Sequence, residues 1–272
     1  MCALALLLTA CSPTSSATTT TPTPAPSPDR SSIPTPAASG SAASRLRVVA
    51  LGDSVTSGSH CDCTPFPELY GRGLTARARI PTTVTNDGVP GETSADLEHE
   101  LAVDASLDRS VAAADVVLVT IGANDYGDQY SELTDGRCTD DGRPLACVQH
   151  ALDQTGTAVT AVLRRVQQLR DGRPTTVLVT GYWNVFEDGD VASRKFSVLG
   201  LAATDRLTVA VNAKIKAAAV ATGDLYVDLY APFKGESAKR DPTPLLAVDG
   251  DHPDAAGHRV IARALLAASP AH

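Results

Sequence analysis

From Arg45 onward, short apolar runs alternate with longer segments whose apolar residues recur at helical spacing. Runs of four to eight apolar residues bounded by turn residues are typical of buried strands. They predict strands at 46–52, 82–88, 115–121, 175–181 and 224–230. The intervening segments predict helices near 66–79, 94–114, 148–170 and 195–221, with a last helix from 253 to about 268.

This alternation predicts an α/β fold with a parallel sheet and helices on both faces. In such sheets the reactive site lies beyond the carboxyl ends of the strands. Ser54, Gly91, Asn124 and Trp183 each follow the end of a predicted strand, so we expect them to share one crevice. The length of 272 residues suits one sizeable domain, which we assign to 45–272.

The N-terminal segment 1–11 has the character of an export signal. Ala3 to Ala10 is apolar but about half the length that spans a bilayer. It ends in Leu8-Thr9-Ala10-Cys11, which resembles a bacterial lipobox with Cys11 as the lipidated residue, although no Lys or Arg precedes the apolar stretch. We expect an extracytoplasmic protein, a cell-surface lipoprotein; the alternative is a secreted protein cut elsewhere, with Cys11 a spare thiol.

Residues 12–44 consist mainly of Thr, Ser, Pro and Ala, and Ile33 is their only large apolar side chain. Such a segment cannot bury enough surface to offset the entropy lost on ordering. It is predicted to be a disordered linker that spaces the domain from its anchor.

The net charge of the chain limits the classes of partner that it can bind. The net charge is −8 and no basic run occurs, which argues against nucleic-acid binding because phosphate contacts need clustered Lys and Arg. The same net negative charge disfavours adsorption to anionic lipid, so membrane contact is expected only through a lipid anchor at Cys11. We expect a monomer.

Four cysteines lie in the domain, and an even number in an exported domain indicates two disulfides. Of the three possible pairings we favour the one that closes a short loop between Cys138 and Cys147, with Cys61 and Cys63 as the second pair. A zinc site is the alternative, but the spacing fits no usual pair of ligands.

Ser54 lies in Gly52-Asp53-Ser54, directly after the first predicted strand. A turn there places the hydroxyl at the sheet edge, and a helix starting there would direct free N–H groups at a substrate oxygen. The alternative is that Asp53 and Ser54 only cap a helix or form a turn. Thr56 replaces the last glycine of the nucleophile elbow of α/β-hydrolases, so that motif is absent.

His252 is the candidate base for Ser54. Asp249 precedes it by three residues and can reach its Nδ1, leaving Nε2 free for the hydroxyl. Asp251 is a rival for this role, but adjacent side chains diverge, so we favour Asp249. We interpret the other histidines as surface or satisfied core residues: His60, His99, His150, His272 and, on the surface of the last helix, His258.

Gly91 and Asn124 are candidate donors to a substrate oxyanion. A glycine lets its N–H approach closely, and a side-chain amide is an uncharged donor. With the Ser54 N–H they would make three donors; the alternative is that both are turn residues.

Two further segments border the predicted crevice. Trp183 follows a strand end and is a candidate substrate contact, or it caps the core together with Phe186. The polar, glycine-rich insert 125–147 is predicted to be cross-linked and to act as a lid or specificity loop.

These segments together resemble the Ser-Gly-Asn-His (SGNH, or GDSL) hydrolase family, and more loosely its exported actinobacterial esterases and lipases. The blocks occur in family order between Val49 and Pro253. The resemblance implies a flavodoxin-like three-layer α/β/α fold with a five-stranded parallel sheet of order 2-1-3-4-5. The family's residue types match at four blocks: Gly52-Asp53-Ser54, Gly91, Gly122-x-Asn124-Asp125 and Asp249-x-x-His252.

The resemblance implies Ser54 as nucleophile, His252 as base and Asp249 as its partner. It implies an oxyanion hole made by Ser54, Gly91 and Asn124, with no metal or organic cofactor. We therefore expect an extracytoplasmic serine esterase or lipase that hydrolyses small-molecule, lipid or glycan esters through an acyl-enzyme. One alternative is a carbohydrate O-acetyl esterase acting on cell-wall or plant glycans, and another is a non-catalytic, ligand-binding surface lipoprotein.

Overall fold

The structure is a computed structural model that describes residues 45–140 and 143–270. The predictions for the signal segment 1–11, for lipidation of Cys11 and for the linker 12–44 lie outside these residues. No helix in the described ranges combines the length and the apolar character needed to cross a bilayer.

A five-stranded parallel sheet forms the centre of the domain. Its order is β2-β1-β3-β6-β7, which is 2-1-3-4-5 when only these strands are counted, so the predicted fold class is confirmed. The strands are β1 (Leu46–Gly52), β2 (Thr82–Gly88), β3 (Val116–Thr120), β6 (Thr176–Thr180) and β7 (Leu225–Val227). A separate antiparallel pair joins β4 (Thr139–Asp140) and β5 (Arg143–Pro144).

Helices cover both faces of the sheet. They are α1 (Ser54–Ser57), α2 (Phe66–Ala78), α3 (Ser94–Val103), α4 (Ala105–Ala113), α5 (Tyr130–Thr134), α6 (Gln149–Arg170), α7 (Gly189–Lys195), α8 (Val198–Thr222), α9 (Tyr230–Lys234) and α10 (Ala255–Ala268). On one side α2 packs against α10, and on the other α6 packs against α3, α4 and α8. Because β3 lies in the middle of the sheet with both faces covered, all five of its residues are buried.

Two predicted helices differ from the observed ones for local reasons. The segment 94–114 is divided at Asp104, whose backbone is extended and whose side chain accepts hydrogen bonds from the N–H groups of Ser106 and Leu107. Asp104 therefore caps a new helix instead of continuing the first. Similarly, Ser197 caps α8, which separates it from the short α7.

Gly52 brings the end of β1 against β3. Its φ is +130°, and a Cβ at this position would lie 1.9 Å from the carbonyl oxygen of Thr120. Only glycine fits here, because it has no Cβ and tolerates positive φ. The chain then turns, and the Asp53 N–H donates to the Thr120 carbonyl at 3.0 Å, which places Ser54 at the carboxyl end of the sheet.

The domain cysteines are adjacent in the two pairs favoured from the sequence. The Cα atoms of Cys138 and Cys147 lie 5.1 Å apart and those of Cys61 and Cys63 lie 5.0 Å apart, within the range that a disulfide spans. The structure therefore favours two disulfides over a zinc site.

Candidate active site

Ser54 is the first residue of α1, the four-residue helix that follows β1. Asp53 caps this helix by accepting a hydrogen bond from the Val55 N–H at 2.9 Å. Gly58, at φ +80°, ends the helix in the left-handed region. The turn that the sequence predicts is therefore present, and it holds a half-buried hydroxyl at the sheet edge.

His252 lies on the loop before α10 and contacts Ser54. Its Nε2 lies 2.9 Å from Ser54 Oγ, and its Nδ1 lies 2.9 Å from Asp249 Oδ2. With its proton on Nδ1, the imidazole has a lone pair on Nε2 that can accept the hydroxyl proton. The fold thus brings Ser54 into contact with His252, which follows it by 198 positions in the sequence.

Asp251 also approaches the imidazole. Its Oδ1 lies 2.8 Å from His252 Nδ1, so the expectation that this side chain diverges from the ring is wrong. The same oxygen accepts the backbone N–H of His252 at 2.8 Å, and only the contact from Asp249 has the direction of a hydrogen bond to the ring. Asp249 therefore remains the orienting partner, while Asp251 adds a second negative charge.

These two carboxylates control the ionisation of His252. Burial alone would lower the pKa of the imidazole, but Asp251, and after it Asp249, outweigh burial and raise that pKa to about 8. The neutral form that can act as a base therefore predominates only in mildly alkaline solution.

Gly91 and Asn124 line the same cavity as Ser54 and His252. Gly91 has φ +81°, and a Cβ there would meet no atom within 4 Å, so the glycine is needed for its backbone angle rather than for space. The Asn124 amide donates to the Glu92 carbonyl at 2.9 Å, which fixes its direction. The amide has a second N–H, and the residue lines the cavity.

The cavity has a volume of about 580 Å³ and a mixed lining. Pro90, Val185 and Phe186 contribute apolar surface, whereas Tyr130 and Glu187 contribute polar groups that hydrogen-bond to each other at 3.1 Å. Tyr130 belongs to the insert 125–147, which therefore borders the site, as its position after Asn124 suggested. Its role as a lid stays a prediction.

Trp183 is a core residue, and the prediction that it contacts substrate is wrong. Its side chain is fully buried and stacks on Phe233 with ring centroids 4.2 Å apart. Its indole N–H donates to the Asp251 carbonyl at 3.2 Å, so it supports the histidine loop from the inside. Phe186, three residues later, lines the cavity in its place.

His60 is the functional candidate that the sequence interpretation missed. Its ring stacks on that of His252, with centroids 4.6 Å apart and planes inclined by 20°. Its Nδ1 lies 3.2 Å from Asp249 Oδ2. The only signal in the sequence was its place beside the Cys61-Asp62-Cys63 segment, shortly after Ser54.

His258 is not on the surface of the last helix, as the sequence suggested, but fully buried. Its Nδ1 accepts the backbone N–H of Phe66 at 3.1 Å, and burial lowers its pKa to about 4. A neutral imidazole in this position ties α10 to the start of α2.

Two clusters in the described part of the chain have three potential metal ligands within 4.8 Å of one another. In the first, Cys61 and Cys63 lie at disulfide distance from each other beside His258, an arrangement that favours a disulfide over two thiolate ligands. In the second, Asp249 Oδ2 lies 3.2 Å from His60 Nδ1 and 2.9 Å from His252 Nδ1, so the three side chains already contact one another.

Comparison with known proteins identifies the family of this chain. A model of the GDSL-like Lipase/Acylhydrolase family matches residues 50–260, whereas no curated protein matches the chain. Among solved structures, a lipase from a goat rumen metagenome superposes with a TM-score of 0.66 at 19% identity, covering 82% of this chain and 97% of that one. An acetylxylan esterase from Geobacillus stearothermophilus superposes with a TM-score of 0.56 at 22% identity, covering 82% and 93%.

At these identities the two structures support the fold alone, so the assignment depends on the family model. That model extends over most of the domain and includes Ser54, Gly91, Asn124, Asp249 and His252. The chain belongs to the GDSL-like lipase/acylhydrolase family and is a carboxylic ester hydrolase of the SGNH type.

Proposed function

We propose that this protein is a serine esterase whose nucleophile is Ser54, whose general base is His252 and whose orienting acid is Asp249. The observation that carries the proposal is the hydrogen-bonded series from Asp249 through His252 to Ser54, with both contacts at 2.9 Å, beside an open cavity. This is the arrangement that a serine hydroxyl requires before it can attack an acyl carbon.

In the proposed reaction Ser54 Oγ bonds to the ester carbonyl carbon while its proton passes to His252 Nε2. The backbone N–H groups of Ser54 and Gly91 and the amide of Asn124 stabilise the oxyanion of the tetrahedral intermediate. The carbon–oxygen bond to the alcohol then breaks, and the alcohol leaves with the proton from His252. Water, deprotonated by the same imidazole, hydrolyses the acyl-enzyme and regenerates Ser54.

We propose carboxylic esters of lipids or small alcohols as the first class of substrate, because Pro90, Val185 and Phe186 offer an apolar wall to an acyl chain. A carbohydrate O-acetyl esterase is the second candidate. It is favoured by Tyr130, Glu187 and Asp251, whose polar groups line the cavity and suit the hydroxyls of a sugar. The named activities of the superposed structures, lipase and acetylxylan esterase, include both classes.

The proposed location is extracytoplasmic, with the domain tethered through a lipid on Cys11 by the linker 12–44. The lipobox-like sequence and the two cysteine pairs support it, since disulfides persist in oxidising compartments. Incorporation of labelled palmitate into the wild-type protein, but not into Cys11→Ser, is the expected result. Equal labelling of both proteins would contradict anchoring at Cys11.

The test of the mechanism is hydrolysis of p-nitrophenyl esters from acetate to palmitate by the wild type and by Ser54→Ala. We expect only the wild type to hydrolyse these esters. The acyl-chain length that is hydrolysed fastest then indicates whether acetylated glycans or lipids should be tested next. A fluorophosphonate should label the wild type and not Ser54→Ala. Folded wild-type protein that is neither labelled nor active would favour the non-catalytic binding protein.

A further inference from the structure

The loop that follows α1 holds His60 in an unusual backbone conformation. His60 has φ +60° and Asp62 has φ +46°, both in the left-handed region that residues other than glycine rarely adopt. Cys61 lies between these two residues and Cys63 follows them, and the Cα atoms of the two cysteines are 5.0 Å apart. Backbone strain of this kind persists only where contacts with the surrounding structure hold the chain in that conformation, and it is found most often at functional sites.

The constrained loop presents the His60 ring to two members of the proposed triad at once. The ring lies against the face of His252 with centroids 4.6 Å apart, and its Nδ1 is 3.2 Å from Asp249 Oδ2. The other carboxylate oxygen of Asp249 accepts the backbone N–H of His252 at 3.2 Å. Both oxygens of Asp249 are thus held in place, one of them between two imidazoles.

Core packing does not account for this placement. The His60 side chain is 59% exposed, so it contributes little burial energy, yet it lines the cavity that contains Ser54. The two contacts that it does make are both with groups whose orientation determines the basicity of His252.

We propose that His60 is a positioning residue that orients the Asp249 carboxylate and covers one face of the His252 imidazole. His60 Nδ1, 3.2 Å from Asp249 Oδ2, attracts the carboxylate and opposes its rotation away from His252. Its ring face also lies against the imidazolium that forms during the reaction, which is a favourable cation–π arrangement. This inference rests on the proposed function and assigns one more residue to the same site.

Three substitutions separate the two contacts. His60→Phe retains a ring against His252 but loses the polar contact with Asp249, His60→Gln retains a polar group but loses the ring, and His60→Ala loses both. We expect His60→Ala to lower kcat by about 5- to 20-fold with little change in KM, the effect of losing one polar contact with a charged group in the site. The Phe and Gln variants should lie between the alanine variant and the wild type.

A spectroscopic signature gives a second readout that does not require turnover. The His252 Nδ1 proton, held by Asp249, should give a strongly downfield proton resonance in the full-length wild type. We expect that resonance to broaden or disappear in His60→Ala and to persist in His99→Ala, a matched control because His99 is exposed on α3. If His60→Ala is unfolded, the bulkier Phe and Gln variants provide both readouts.

The outcomes distinguish this inference from the proposed function. Wild-type kcat in all three His60 variants, with an unchanged downfield resonance, would overturn the positioning role while leaving the triad intact. A wild type that hydrolyses no ester would instead count against the proposed function. In that case a resonance lost in His60→Ala and kept in His99→Ala would still support the orientation of Asp249 by His60, and its persistence would refute it.

Discussion

The Tyr182 hydroxyl donates a hydrogen bond to Asp53 Oδ2 at 2.5 Å, joining the end of β6 to the end of β1 beneath Ser54. Both side chains are fully buried. Burial raises the pKa of Asp53 to about 6, an increase limited by hydrogen bonds from Tyr182 and the Val55 N–H. Because Asp53 also caps α1, this contact links the start of that helix to the segment that follows the fourth strand of the sheet.

Replacing Tyr182 with Phe should destabilise the protein in a pH-dependent way. The folded-state pKa of Asp53 is already above its unfolded value, so ionisation of Asp53 costs stability as pH rises, and losing the Tyr182 donor should raise that pKa further. We expect a loss of about 1–3 kcal/mol at pH 8 and a smaller loss at pH 5, measured by urea unfolding.

Tyr70→Phe is the matched control for Tyr182→Phe. The Tyr70 hydroxyl is also buried, but it bonds to the neutral hydroxyl of Ser269 at 2.8 Å. Its loss should therefore cost similar stability at both pH values. If Tyr182→Phe also showed no pH dependence, the Asp53 carboxylate would not be the group that Tyr182 stabilises.

Asn124→Ala should lower kcat by about 10²–10³-fold, the usual cost of removing one oxyanion donor. KM should change little, since the donor is directed at charge that develops only in the transition state. Steady-state kinetics on the best p-nitrophenyl ester, together with the unfolding temperature of the variant, provide the measurement. Equal rates within error would remove Asn124 from the mechanism.

The pH dependence of kcat/KM should report His252. Because the base must be neutral and its pKa is raised to about 8, the rate should rise about tenfold per pH unit below that value and level off above it. A flat profile from pH 5 to 8 would contradict a histidine base.

Two aspartate variants separate the roles of the carboxylates beside His252. Asp251→Asn should shift the acid limb of the profile to lower pH, since Asp251 is the larger of the two influences that raise the pKa of His252. Asp249→Asn should reduce kcat far more, because Asp249 makes the directed hydrogen bond to Nδ1. A larger loss of kcat in Asp251→Asn would exchange the two assignments.

Glu92→Gln should stabilise the protein in alkaline solution. Both Glu92 carboxylate oxygens are buried without a hydrogen-bond partner, and burial, reinforced by the charge of Glu100, raises the Glu92 pKa to about 8. A carboxyl group whose pKa is raised by folding contributes to the stability of the protein at pH values below its unfolded pKa, here 4.5. That contribution is lost as the pH rises through the folded-state pKa of about 8. The neutral amide avoids that loss.

The measurement is the difference in unfolding temperature between Glu92→Gln and the wild type at pH 5 and pH 8. We expect the variant to gain stability relative to the wild type as pH rises over this range. Glu98→Gln is the control, because Glu98 is exposed on α3 and should show no such trend. A constant difference would mean that Glu92 is ionised throughout.

Local patterns predicted four of the five sheet strands to within a residue at each end, because hydrophobic alternation and turn residues act over a few positions, whereas the strand predicted at 224–230 is observed only over Leu225–Val227. The strands at 46–52 and 82–88 have the predicted bounds, and the helix 66–78 ends one residue early. The break at Asp104 was missed because a helical hydrophobic pattern continued through it, while the capping hydrogen bonds that end one helix and start the next depend on backbone geometry.

By itself, the sequence determined the approximate positions of the main strands and helices and the residue types that family members share at Ser54, Asn124 and His252, because these depend on local periodicity and short motifs. Only the tertiary structure decided that Trp183 is internal and that His60 contacts His252. Such contacts join residues far apart in the chain, so they depend on which strands are neighbours and how the loops pack. No local pattern encodes that packing, since it results from burying the whole domain at once.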